Sequence, residues 1–278
     1  MQFPYYFSFA GHRVHPHLLM ELIGYTGGFQ IYLWLRRKKG KLGALPLEQN
    51  MWILVGCVFG ALVGSKVLAW AESWRDYWAH RNDLVAWLGG KTIVGGLLGG
   101  WIGVEIAKWK LRLKKSTGDL FVFPLIFGMA VGRVGCFLTG LPDHTYGTAT
   151  SLPWGVDFGD GIRRHPTQIY EIGFLVVWGL MLWIGMKVPV RGMGFQPMLV
   201  DTETRVENPC HGEGTLFRVF MLGYLAMRFL IEFIKPSWKP YAGLSAIQLA
   251  CVGGMMVCVR GLANLRRREN VGSIYEHA

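Results

Sequence analysis

The sequence predicts an all-α polytopic membrane protein with seven transmembrane helices, its N-terminus outside and its C-terminus cytoplasmic. Three observations carry this. Apolar runs of roughly 20 residues, enough to cross about 30 Å of hydrocarbon, recur along the 278 residues. Mean hydropathy is +0.29 and 51% of the chain is apolar; with those run lengths this reads as a single integral-membrane domain over 1–278. The basic clusters "RRKKGK", "KWKLRLKK" and "LRRREN" fall on one side of a seven-pass chain. The positive-inside rule makes that side the cytoplasm.

The spans follow in order at 18–35, 51–71, 88–107, 120–140, 167–186, 214–234 and 244–262. Each is an apolar run bounded by charged or turn-forming residues. The loop 141–165 and the turn 236–243 face outside. The segment 187–213 is polar, without a clear period, and reads as a cytoplasmic insertion acting as a solvated spacer. Glycines recur four apart: Gly56, Gly60 and Gly64; Gly95, Gly99 and Gly103; Gly128 and Gly132. Small residues at that spacing let helix backbones approach closely. The first residues lack a basic region followed by an apolar run, so no cleavable signal peptide is expected and the first span directs insertion.

The formal net charge of +11 lies in short clusters at span ends, as topology signals do, so nucleic acid is not an expected partner. Of the five cysteines, Cys57, Cys251 and Cys258 lie in apolar runs, Cys136 near a span end and Cys210 in a polar loop. No pair has zinc-ligand spacing and no disulfide framework is visible. Cys136 reads as a buried structural thiol. "GHRVHPH" sets His12, His15 and His17 just outside the first span. With no carboxylate or cysteine beside them in sequence, they read as titratable groups at the mouth of a site and not as metal ligands. Neither a metal nor a cofactor is expected.

Ionisable groups inside spans are costly and mark functional sites. Here they are Glu21, Lys66, Lys91, Glu105, Arg133, Glu171, Arg228 and Glu232. Lys91 and Glu105 sit near span ends, where snorkelling explains them. Tyr224, Arg228 and Glu232 stand at i, i+4 and i+8, one polar stripe that Lys235 continues. "IRRHPTQIYE" opens the fifth span, with Pro166 suited to the first turn. Thr167 and Gln168 are expected at the water boundary, Glu171 one turn in, and Arg163, Arg164 and His165 at the outer surface. Arg133, Arg228, Arg164 and Lys235 are therefore expected to cluster in the outer half of the bundle. Guanidinium forks in that setting suit a phosphate ester, and the phosphate available there is a phospholipid head group.

Four blocks in order resemble the prolipoprotein diacylglyceryl transferases of bacterial membranes: "GGLLGGWIGV", "GRVGCFLTG", "RHPTQIYE" and "GYLAMRFLIEFIKP". The resemblance runs from about residue 10 to 260. It implies a multi-pass enzyme of the bacterial cytoplasmic (inner) membrane. Such an enzyme transfers diacylglyceryl from phosphatidylglycerol to the lipobox cysteine thiol of a preprolipoprotein and releases glycerol phosphate. By motif position, Arg133 matches the signature arginine, Tyr224, Arg228 and Glu232 the late helix, and Glu171 the acid of the histidine–proline block. This chain departs from the family pattern at four positions. Cys136 replaces the signature asparagine, Leu98 a histidine before paired glycines, His17 a tyrosine of the first helix, and Lys235 an arginine.

That reaction needs a thiolate, an in-line glycerol carbon and cations on the leaving phosphate. Arg133 and Arg228 are expected to clamp the phosphate. Glu232 and Tyr224 are expected to orient Arg228, and Glu171 a partner on its own helix. His17 is the first candidate base and His165 the second. Arg164, His165, Cys136 and Lys235 are expected around the substrate, and "HTYGTATSLPWGVDFGDG" over the outer mouth. Two rival readings are a same-fold enzyme with another lipid acceptor and a non-catalytic phospholipid-binding or transport protein.

Overall fold

The computed structural model describes residues 3–9, 11–38, 45–187 and 214–276. The fold is helical. Its long elements are α1 (Pro16–Lys38), α2 (Leu47–Glu72), α5 (Ile93–Lys110), α6 (Val122–Thr139), α7 (Thr167–Lys187), α8 (Thr215–Ile231) and α9 (Ala246–Glu276). The short α3 (Trp74–Ala79) and α4 (Leu84–Leu88) lie between α2 and α5. Two small antiparallel hairpins, β1 (Phe7–Phe9) with β2 (His12–Val14) and β3 (Val156–Asp157) with β4 (Arg163–Arg164), complete it. Residues 188–213 of the expected insertion lie outside the described residues, as does Cys210.

Each expected span is a helix, but the third starts later. Residues 84–88 form α4, the chain breaks at Gly90 (φ +52°), and α5 begins at Ile93. Lys66, from the last third of α2, explains the break: its ammonium donates to the carbonyls of Leu88, Gly89 (2.7 Å) and Gly90 (2.9 Å). A cation on the free carbonyls at a helix end is favourable. Four helical segments are long and apolar enough to cross a membrane: Leu47–Glu72, Gly118–Thr139, Thr167–Met186 and Ala246–Leu265. The polar side chains of the site are spread over α1, α6, α7 and α8. Large apolar residues are exposed along α2 (Leu54, Phe59, Leu62) and α7 (Val177, Leu180, Ile184). An outer surface of that kind suits lipid and not water.

The glycine spacing sets two helix pairs. On α2 and α5, a Cβ added to Gly60 would fall on the Gly99 carbonyl, one on Gly99 on the Gly60 carbonyl, and one on Gly103 on the Gly56 carbonyl. On α1 and α6, a Cβ on Gly24 would come 3.2 Å from the Gly128 carbonyl, and one on Gly135 would come 3.1 Å from the His17 Cα. The second contact brings the first turn of α1 against α6 near Cys136. Gly132 differs from the expectation, since a Cβ there would meet nothing within 4 Å. The core lies between α6, α7, α8 and α9, where Val122, Leu175, Phe220, Met221, Leu225 and Cys251 are fully buried.

Two helix ends place the site. α6 stops at Gly140, whose positive φ of +73° a residue with a Cβ adopts only at a cost. The chain then turns back so that Asp143 reaches the start of α1. α8 ends at Ile231, a 3-10 turn runs from Glu232 to Ile234, and Lys235 is extended (φ −88°, ψ 145°). Pro236 favours that conformation in the residue before it.

Replacing Gly60 or Gly99 with leucine should separate α2 from α5, at a cost of about 1–3 kcal/mol or more. Gly132→Ala should change the melting temperature little. Thermal unfolding in detergent checks both; equal losses at Gly99 and Gly132 would contradict this packing.

Candidate functional site

The site begins with a buried carboxylate. Glu171, one turn into α7, is 2% exposed, and Arg133 (5%), Arg228 (3%) and Glu232 (1%) are buried with it. The Arg133 Nε lies 2.8 Å from Glu171 Oε2, and the Arg228 Nη1 lies 3.9 Å from the same oxygen. The Tyr224 hydroxyl donates to Glu171 Oε1 at 2.7 Å. Arg228 Nη2 donates to Glu232 Oε2 at 2.9 Å. Glu171 thus joins α6, α7 and α8.

Two expected roles change. Tyr224 holds Glu171, not Arg228: the stripe it shares with Arg228 faces α7, and its hydroxyl bonds the Glu171 carboxylate. Glu171 orients no partner on its own helix; it holds arginines from two others. Glu232 pairs with Arg228 as expected. Arg228 Nε and Nη1 are buried and lack a hydrogen-bond partner among the described residues. Two buried guanidiniums against two carboxylates balance in charge. Lys235 is a further basic residue beside them. It is half-buried, and burial, with Arg228 and Arg133 nearby, brings its pKa down to about 8.

Arg164 does not join this cluster. It forms a two-pronged ion pair with Asp160, both contacts 2.7 Å, and its guanidinium stacks 5.0 Å from the Tyr146 ring centre. The pair holds the Asp160 carboxyl below its ordinary range. The β3–β4 turn keeps Arg164 there, because Asp157 Oδ1 accepts from the N–H groups of Gly159, Asp160 and Gly161. His165 is directed to Tyr170, its Nδ1 3.1 Å from the hydroxyl, which also accepts from Trp154 Nε1. Thr167 and Gln168, expected at the water boundary, are each 1% exposed. Both bond Thr145, Thr167 to its carbonyl and Gln168 to its hydroxyl. The 141–165 loop covers them, anchored by buried Phe158 against Phe3 and Phe137.

The second half of the site lies at the start of α1. His17 Nδ1 is 3.9 Å from Cys136 Sγ and 3.5 Å from Asp143 Oδ1. Its Nε2 is 3.1 Å from Glu21 Oε1, which also accepts from Lys91 at 2.8 Å. The three N-terminal histidines do not converge: His15 Nδ1 accepts from the His17 N–H, and His12 is exposed in β2. The expectation that His17 lacks a cysteine or carboxylate partner is therefore overturned. One partner, Glu21, stands one turn along α1, while Cys136 and Asp143 come from α6 and the turn after it, far away in sequence. Asp143 was missed for that reason; its position just past a glycine helix stop was the available signal. Lys91, read as a snorkelling residue, is instead held by Glu21. An open cleft of about 370 Å³ is lined by His15, His17, Glu21, Lys91, Thr139 and Asp143, among others. Arg133 connects the two halves, its Nη1 3.8 Å from Cys136 Sγ.

Exchanging Glu171 for glutamine leaves two guanidiniums buried with one carboxylate. The expected loss is about 3–5 kcal/mol, against about 2 kcal/mol for Tyr224→Phe. Unfolding in detergent tests the order; a harmless Glu171→Gln would contradict the shared-carboxylate arrangement.

Residues 4–263 match the family described as prolipoprotein diacylglyceryl transferase. A phosphatidylglycerol–prolipoprotein diacylglyceryl transferase of Legionella pneumophila is 34% identical over 273 residues, covering 90% of this chain and 94% of that protein. Proteins of the same name from Bordetella parapertussis and Cupriavidus necator are 29% and 34% identical. The first match covers 85% of this chain and 83% of the relative; the second covers 71% and 64%.

Proposed function

The chain belongs to the prolipoprotein diacylglyceryl transferase family, and on that premise we propose that it moves diacylglyceryl from phosphatidylglycerol to the lipobox cysteine of a preprolipoprotein, releasing glycerol phosphate. The observation that carries the reading is the pair Arg133 and Arg228, buried side by side on one carboxylate, with unused N–H groups on Arg228. We place the enzyme in the bacterial cytoplasmic membrane with seven passes, the site end outside and the C-terminus inside. The basic residues closing α1, Arg36, Arg37 and Lys38, and those closing α5, Lys108 and Lys110, favour this orientation.

In this reading the donor phosphate takes up the free N–H groups of Arg228 and the outer edge of Arg133. Glu171, Tyr224 and Glu232 hold the guanidiniums ready, so little reorganisation is needed as charge grows on the leaving oxygen. Lys235 adds the charge that the balanced pairs do not provide. The acceptor thiol approaches through the cleft beside His17, whose Nδ1 is the candidate to receive its proton. The thiolate then attacks the glycerol carbon, the S–C bond forms, and the C–O bond to phosphate breaks. His165 and Arg164 shape the mouth and take no proton in this scheme.

Purified protein given radiolabelled phosphatidylglycerol and a lipobox peptide should place label on the peptide cysteine and glycerol phosphate in solution. Glycerol phosphate without labelled peptide would point to another acceptor. Neither product from folded protein would favour a lipid-binding role.

Arg133→Lys should lose about a hundredfold or more in rate, nearly as much as Arg133→Ala, because lysine lacks the fork. Full activity with lysine would exclude a forked phosphate contact.

Lys235 gives a pH test with opposite signs in two measurements. Its charged form binds phosphate, so transfer should fall as pH rises through about 8. The fold disfavours that charge, so without substrate the contribution of Lys235 to stability should rise between about 8 and its ordinary 10.5. Lys235→Arg should remove the alkaline fall in transfer. An unchanged profile in that variant would exclude Lys235 from phosphate binding.

A further inference from the structure

The group at the start of α1 has a chemistry that the phosphate clamp does not use. His17, Cys136 and Asp143 each offer one ligand atom, and the three atoms lie within 4.8 Å of one another. They are an imidazole nitrogen, a thiol sulfur and a carboxylate oxygen, a set that suits zinc among the common biological metals. In a tetrahedral zinc site, with Zn–S near 2.3 Å and Zn–N near 2.0 Å, such donors stand about 3.3–3.6 Å apart. His17 Nδ1 is already 3.5 Å from Asp143 Oδ1 and 3.9 Å from Cys136 Sγ.

The surroundings fit as well. With Nδ1 turned to the ligand group, His17 Nε2 lies 3.1 Å from Glu21 Oε1. Metal-bound histidines usually donate their second N–H to such a carboxylate, which fixes the ring and its tautomer. Lys91, 2.8 Å away, holds Glu21 in turn. Cys136 is buried, and Arg133 Nη1 at 3.8 Å would offset thiolate charge. The cleft opens onto His17 and Asp143. A centre of three protein ligands with its fourth position reached from a cleft has the form of a catalytic zinc site and not a closed structural one.

We propose that His17, Cys136 and Asp143 form a zinc site whose fourth ligand is the acceptor thiol. This rests on the transferase reading for its acceptor, not for its metal. Zinc binds a thiol as thiolate, so the proton leaves to water before attack; with Nδ1 on the metal, the zinc takes over the deprotonating role given to His17 above. The zinc-held sulfur forms the S–C bond, and the pair from the broken C–O bond leaves on glycerol phosphate. The thioether product is a poorer ligand and departs. Arg133 stands between the two reacting groups, through Nε to Glu171 and through Nη1 to Cys136. The design therefore pairs a thiolate on one side of Arg133 with a leaving phosphate on the other.

The test uses the full chain in detergent, purified with neither chelator nor metal-affinity resin. Elemental analysis should find about one zinc per chain, retained in Arg133→Ala and lost in Cys136→Ala and Asp143→Ala. Glu21→Gln should weaken zinc by about 10- to 100-fold. After cobalt exchange, a thiolate-to-cobalt charge-transfer band should appear. A lipobox peptide should strengthen it, and the same peptide with serine for cysteine should not. Absence of both zinc and the band overturns the site, as does metal that survives in Cys136→Ala and Asp143→Ala. A band unmoved by the peptide overturns the role of the acceptor thiol. Failure of the transferase reading shows separately, as zinc-replete protein that labels no peptide.

Discussion

Everything at the site depends on one carboxylate, Glu171, shared by two buried arginines. A guanidinium out of water costs several kcal/mol unless it is paired, and here two from different helices depend on the same acid. The Tyr224 hydroxyl takes the other oxygen of Glu171, and Glu232 takes the far side of Arg228. The arrangement ties α6, α7 and α8 at one end of the bundle while leaving some guanidinium N–H groups unused. Hydrophobic replacement of a buried ion-pair network is often neutral or stabilising, so fold stability alone is a weak reason for this one.

The helix architecture serves that arrangement. The close contact at Gly135 brings His17 against α6, and the Gly140 stop returns Asp143 to the same point. The break of α8 at Glu232 leaves Lys235 extended beside Arg228 and Arg133, near enough for their charges to disfavour its own. Two chemically different halves, the arginine–carboxylate cluster proposed to hold phosphate and the His17–Cys136–Asp143 group, then meet at Arg133. That proximity suits a reaction in which sulfur replaces phosphate on carbon.

Much of this was legible in the sequence because it is periodic or local. Apolar run length gave the helices, and four-residue glycine spacing marked α2 and α5 as closely packing, without naming their partners. The i, i+4, i+8 stripe gave Arg228 with Glu232. Contacts between distant segments were not legible. Nothing in the spacing links Tyr224 to Glu171, or His17 to Cys136 and Asp143, since those pairs form only when α1, α6, α7 and α8 pack. Arg164 was misplaced for the opposite reason. Its nearest acid, Asp160, lies four residues away in a hairpin turn and captures it before it can reach the bundle. Lys91 was ambiguous because a lysine near a span end looks the same whether it snorkels or is held by a partner.

The central claim is that Arg133 and Arg228 act as one unit through Glu171. A double-mutant cycle on the rate of peptide labelling, with Arg133→Ala, Arg228→Ala and both together, tests it most directly. The account predicts strong non-additivity, the double variant being scarcely slower than the worse single one, as for groups that act on one transition state. Losses that multiply would mean that the two arginines act independently and would contradict it.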